Sequence, residues 1–169
     1  LPMVNQVIAK NSEGSIAQEA IFAASAELNQ IVSLNWDTNS MDINSYLSRV
    51  AWGVDCDSTT KLRSGHISQP YHRRCTDNTD GPTGITDGAS NFLNDINRTT
   101  RDIYTATTGS ATGYKKVYNS TFGVTYADFD STFGTGNNIK RINVTIKDPD
   151  SGDTIISLTT FSSNIGEID

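Results

Sequence analysis

Residues 1–34, LPMVNQVIAKNSEGSIAQEAIFAASAELNQIVSL, decide the architecture, because no later stretch keeps helical spacing of apolar residues over so many turns. Val4, Ile8, Ile16, Ala20, Ala23, Ala24, Leu28, Ile31 and Val32 recur at separations of three, four or multiples of a turn. A period of about 3.6 residues predicts one long helix with most of them on a single stripe. At about 1.5 Å per residue such a helix is roughly 50 Å long. That is more than a small domain buries, so part of the stripe calls for a partner outside the domain. Asn11, Ser12, Glu13 and Gly14 interrupt the pattern and predict a kink or weak point.

Beyond the helix the 169-residue chain turns polar and then β-like. Residues 35–40, NWDTNS, are able to end the helix and to cap the next element. Residues 45–55, SYLSRVAWGVD, carry enough apolar side chains to feed a core, and a strand is preferred there over a short helix. Residues 56–100 read as loop, most clearly at 77–88, DNTDGPTGITDG, where turn-forming residues crowd together. Runs at 103–108 and 116–126 carry Val, Tyr, Phe and Thr with partial alternation. The clearest element is a hairpin: Ile142, Val144 and Ile146 alternate with polar residues, Asp148, Pro149, Asp150, Ser151 and Gly152 turn, and 155–161 returns. The class is α+β, a long N-terminal helix packed on a small antiparallel β-sheet, with stem 1–34 and head 35–169. The head divides into a variable loop, 56–100, and a sheet, 102–161.

A formal charge of −6 with no basic stripe excludes general nucleic-acid binding. Lysines and arginines gather only in short groups, Arg73 with Arg74, Lys115 with Lys116 and Lys140 with Arg141, each expected on a solvated face. No run of about 20 apolar residues is present. The chain opens inside its helical pattern with neither a signal peptide nor an initiator Met, which predicts a mature or truncated fragment. Cys56 and Cys75 lie in loop-like surroundings that favour a disulfide in an oxidising compartment over two unpaired thiols. Closing that loop is worth about 3 kcal/mol.

Helix, loop and late hairpin together resemble the type IV pilin and pseudopilin family. The similarity lies in the chain order and in three local stretches: LNWD at 34–37, the hairpin at 139–161, and the closing segment 162–167. The family's glycine followed by a Phe-Thr-Leu-rich segment, with glutamate at its fifth position, is missing from this chain. The resemblance implies a minor pilin or pseudopilin, a structural subunit of a pilus or secretion pseudopilus. It also implies inner-membrane anchoring through a missing N-terminal segment, a periplasmic or filament-surface head, and other pilins as partners through the helix. Val4, Val7 and Ile8 are the residues expected to pack between subunits. The alternative is an extracellular binding or adhesion module with a helical stalk.

Other chemistry is sparse. Cys56, His66, His72 and Cys75 lack the close cysteine pair of known zinc fingers. Residues 76–87 partly match a calcium loop, with Asn78, Asp80 and Asp87 as ligands, but Thr76 stands where Asp is expected and no helices flank it. Calcium is thus the single cofactor the sequence leaves room for. Sequons occur at Asn97, Asn119 and Asn143, of which Asn97, with Asp95 two residues before it, is the glycosylation candidate. Nucleophile elbows, zinc-protease motifs and phosphate-binding glycine loops are absent, so the chain is not expected to be an enzyme. The aromatic residues fall mostly at β positions, where packing is the expected role.

Overall fold

The computed structural model describes residues 2–41, 47–53, 56–63, 73–77, 79–86, 91–96, 98–103, 117–127 and 137–166, with helix side chains from residue 13 and those of the third strand from residue 100. The helix α1 runs Pro2–Val32. After it come a 3₁₀ turn at Thr38–Ser40, two short strands, β1 (Leu62–Arg63) and β2 (Arg73–Arg74), and a second 3₁₀ turn at Leu93–Asp95. Four longer strands complete the chain: β3 (Arg98–Ile103), β4 (Tyr118–Tyr126), β5 (Ile139–Lys147) and β6 (Thr154–Ser163). β1 and β2 pair antiparallel, and the longer strands form an antiparallel sheet in the order β3-β4-β5-β6. An α+β fold with one long helix and a disulfide is thus the observed class.

The expected helix is present, and it runs through Asn11 to Gly14 without a break. The expected stripe is buried in part. Ala20, Ala23, Ala24 and Ile31 are buried, but Val32 is 45% exposed and Phe22, left out of the stripe, is 66% exposed. At about 100° per residue Phe22 falls about 160° from Ala20. Helical geometry therefore sets Phe22 on the side opposite the buried alanines. The segment at 45–55 is also not a strand where it is described: residues 47–53 make only isolated bridges, Ser48 with Met41 and Val50 with Cys75. Val50 and Ala51 still reach the core.

Contacts divide the chain into two compact units. The first comprises Leu1–Ile31, Arg98–Gly123 and Asn143–Thr159. In it Ala20, Ala23, Ala24 and Ile31 of the helix are buried, as are alternate strand residues, Tyr118, Ser120, Phe122, Val144 and Ile146. Each fully buried Ile or Val side chain contributes about 1.5–3 kcal/mol. Glu27, buried within that stripe, pairs with Arg101 of β3. The Tyr118 hydroxyl donates to Glu19 at 2.8 Å. The hairpin turn is as expected: Gly152 takes φ +76, its N–H donates to the Asp148 carbonyl at 2.8 Å, and the Asp148 N–H donates to the Asp153 carbonyl.

The second unit comprises Val32–Asn97, Val124–Ile142 and Thr160–Asp169. Little of its described backbone is regular. Its order comes from buried polar groups, which build the candidate site.

Candidate functional site

The segment leaving the helix is the organising feature of the second unit. Asp37 caps the first 3₁₀ turn: its carboxylate accepts from the Asn39 N–H at 3.0 Å, and the Ser40 hydroxyl accepts from the Asp37 N–H at 3.1 Å. Asp37 is fully buried, as is Lys140 at the start of β5, and Lys140 Nζ donates to Asp37 Oδ2 at 2.7 Å and to the Trp36 carbonyl at 2.6 Å. The ammonium also lies 4.0 Å from the centre of the Trp36 ring and 5.4 Å from that of Tyr126. Burial pushes the Lys140 pKa below its usual range, opposed by the hydrogen bond and charge of Asp37. Two charges removed from water persist only with their remaining donors and acceptors filled, and here they are.

The same carboxylate orders the neighbouring loop. Thr83 donates to it through both its N–H and its hydroxyl, and the Tyr126 hydroxyl donates to the Thr83 carbonyl. Desolvation, with Asp37 nearby, raises the Tyr126 pKa well above 10.0. Beside this group the Thr38 N–H donates to Asn94 Oδ1 at 3.0 Å, Asn94 Nδ2 donates to Asp95, and the Thr86 hydroxyl donates to Asp95 at 2.7 Å. Loop 81–86 is thereby fixed to the helix exit and to the second 3₁₀ turn.

A second anchor is the tail after β6. The Asn164 side chain clasps the Ala51 backbone, accepting from its N–H at 2.8 Å and donating to its carbonyl at 2.9 Å. Arg63 and Arg73, paired directly across β1 and β2, donate to the carbonyls of Asn164 and Gly166, each at 2.6 Å. Opposed like charges disfavour a strand pair, and the two carbonyls offset that repulsion. Gly166 has φ +60, and a Cβ on it would lie 2.8 Å from the Arg49 carbonyl carbon. The Cys56–Cys75 disulfide closes the loop that carries these arginines. Lys61, itself at φ +57, stacks 4.4 Å over the ring of Trp52. The described ends of this loop thus carry Lys61, Arg63, Arg73 and Arg74 on a chain of net charge −6.

Of the other expected site residues, Asp80 is exposed, while Asn78, Asp87, Asn97, His66 and His72 lie outside the described residues. Among the described residues no three metal-ligating side chains come together. Val4, Val7 and Ile8 lie on the helix, in the part whose side chains are not described. The Asn143 amide donates to Ser157 at 3.0 Å and to Thr159 at 2.9 Å. No helix among the described residues is long and apolar enough to cross a membrane.

Lys140 corrects the expectation of a solvated basic pair. It shares the phase of Ile142, Val144 and Ile146, and extending that alternation one step back places it inside. Asp37 also had a legible signal, the spacing of Asp37 and Ser40 around one turn. The roles of Asn164, Arg63 and Arg73 had none, since their partners are distant backbone groups. No family model, no characterised protein and no solved structure matches the chain, so the pilin resemblance rests on the residues and the chain order.

Proposed function

We propose that this chain is the stem and head of a type IV pilin-like subunit, a minor pilin or pseudopilin. The observation that carries the reading is the two-faced helix. Ala20, Ala23, Ala24 and Ile31 of the helix are buried, while Ile21 and Phe22 stand 43% and 66% exposed. An exposed phenylalanine opposite the buried alanines marks a face suited to a neighbouring subunit. The four-stranded sheet and the disulfide-closed loop agree with the order of elements in that family. The function is mechanical: the stem packs in a filament core, and the head presents the 56–100 loop at the surface or tip. A periplasmic or cell-surface location, with inner-membrane anchoring of the full-length protein, goes with this reading, and the disulfide suits an oxidising compartment.

The coding sequence upstream of Leu1 tests it. A short leader ending in glycine, followed directly by about 20 apolar residues, is the expected result. A cleavable secretory signal in that place overturns the reading.

A further inference from the structure

The pair formed by Lys140 and Asp37 sets an amine against a carboxyl group where neither is easily kept charged. Both side chains are fully buried, and Lys140 Nζ lies 2.7 Å from Asp37 Oδ2. The ring centres of Trp36 and Tyr126 stand 4.0 and 5.4 Å from the nitrogen. Burial already pushes the Lys140 pKa below its usual range. Surroundings of low dielectric disfavour charge, so one proton passed along the existing hydrogen bond, from Nζ to Oδ2, leaves a neutral amine beside a neutral acid. The two carboxyl oxygens are held unequally. Oδ1 accepts from the Asn39 N–H at 3.0 Å and from the Thr83 hydroxyl, whereas Oδ2 faces the lysine. The Thr83 N–H is shared between them, 3.2 Å from each.

We propose that Lys140 and Asp37 condense to an intramolecular amide, an isopeptide bond between the start of β5 and the segment leaving the helix. The Nζ lone pair attacks Cγ of the protonated Asp37 carboxyl. The electrons of the C=O bond move onto Oδ1, where the Asn39 and Thr83 donors meet the developing negative charge. The Cγ–Oδ2 bond then breaks. Oδ2 leaves as water, carrying the proton it received first and a second one from the nitrogen. One of the three ammonium hydrogens stays on the amide. An ammonium and a carboxylate thus become one amide and one water, with no oxidant and no further reactant.

Folding, charge and hydrogen bonding all favour this step. The fold holds in contact two groups that lie 103 positions apart in the chain, so their encounter is no longer a matter of diffusion. The product is neutral and relieves the desolvation cost of two buried charges. Its polar atoms already have partners: the Trp36 carbonyl, 2.6 Å from Nζ, accepts the one remaining N–H, and the donors on Oδ1 stay with the new carbonyl oxygen. The bond joins the Cys56–Cys75 disulfide as a second covalent link in this unit, and tension applied to the chain passes from 37 to 140 without loading the residues between. The inference goes beyond the pilin reading and does not depend on it.

The intact mass of the 169-residue chain, reduced and denatured, tests the proposal when read after purification and again after prolonged incubation of the folded protein. The expected mass is that of the sequence less one water. Tryptic digestion is expected to leave the chain uncut after Lys140 and to yield one branched peptide that carries both Asp37 and Lys140. Lys140→Arg keeps a cation but offers a guanidinium that does not deprotonate, and the expected result is the full sequence mass. Should Lys140→Arg not fold, the branched peptide of the parent chain decides alone. The full sequence mass at both times overturns the proposal. So does a water loss that maps elsewhere, such as a succinimide at Asp80 before Gly81, or one that persists in folded Lys140→Arg.

Discussion

The two compact units of this chain are held by different physics. In the helix-and-strand unit, order follows from periodicity: alanines at helical spacing and alternate strand residues are buried, and polar pairs such as Glu27 with Arg101 add to that apolar burial. In the loop unit, periodic structure is scarce and order follows from individual polar groups: Asp37, Lys140, Asn94 and Asn164, with one disulfide. Apolar packing spreads stability over many interchangeable contacts. Buried polar groups concentrate it, since a single lost partner leaves an unpaired group without water.

The substitution that separates the two units most sharply is Lys140→Met. It strands the Asp37 carboxylate and is expected to cost about 3–5 kcal/mol in urea unfolding. The double variant Lys140→Met with Asp37→Leu should recover part of that loss, although the 3₁₀ cap goes with Asp37. A double variant no more stable than Lys140→Met alone would mean that the cap, rather than the ion pair, carries the energy. Replacing Cys56 and Cys75 with serine should cost about 3 kcal/mol, read as a lower unfolding midpoint, with hydrogen exchange rising first around β1 and β2.

Gly166→Ala should cost roughly 1–3 kcal/mol, because it combines a positive φ with a Cβ that meets the Arg49–Val50 backbone. The equivalent change at Gly152, also at positive φ but with open space around it, should cost less. The difference between the two isolates the close approach of the tail.

The smallest effect is a pH dependence. The raised pKa of Tyr126 means that the folded chain holds a proton that the unfolded chain gives up near pH 10.0. Stability therefore falls as pH rises past that value, and Tyr126→Phe should flatten the slope. An unchanged alkaline slope would show that Tyr126 is not the group responsible.

Legibility in the sequence divides along the same line. The helix, the late hairpin with its Asp148–Gly152 turn, and the disulfide were all readable, because period, turn chemistry and cysteine context are local signals. Misreadings occurred where a residue's partner is remote in sequence. Lys140 resembled a surface cation because Asp37 lies 103 residues away. Residues 47–53 had the composition of a strand, but their partners are single bridges and the side chain of Asn164. Glu27 interrupts the buried stripe, and only Arg101 explains it. That Phe22 lies on the face opposite the buried alanines was recoverable by counting turns.

That face offers the most direct test of the stem reading. Phe22→Cys and Ala24→Cys would be introduced separately into the full-length protein in the cells that produce it, and treated with a thiol cross-linker before and after shearing of surface filaments. A filament stem predicts cross-links from the cysteine at 22 to neighbouring subunits in the assembled fraction, and no reaction at 24 in either fraction. Equal alkylation at 22 in both fractions with no cross-linked species would contradict it.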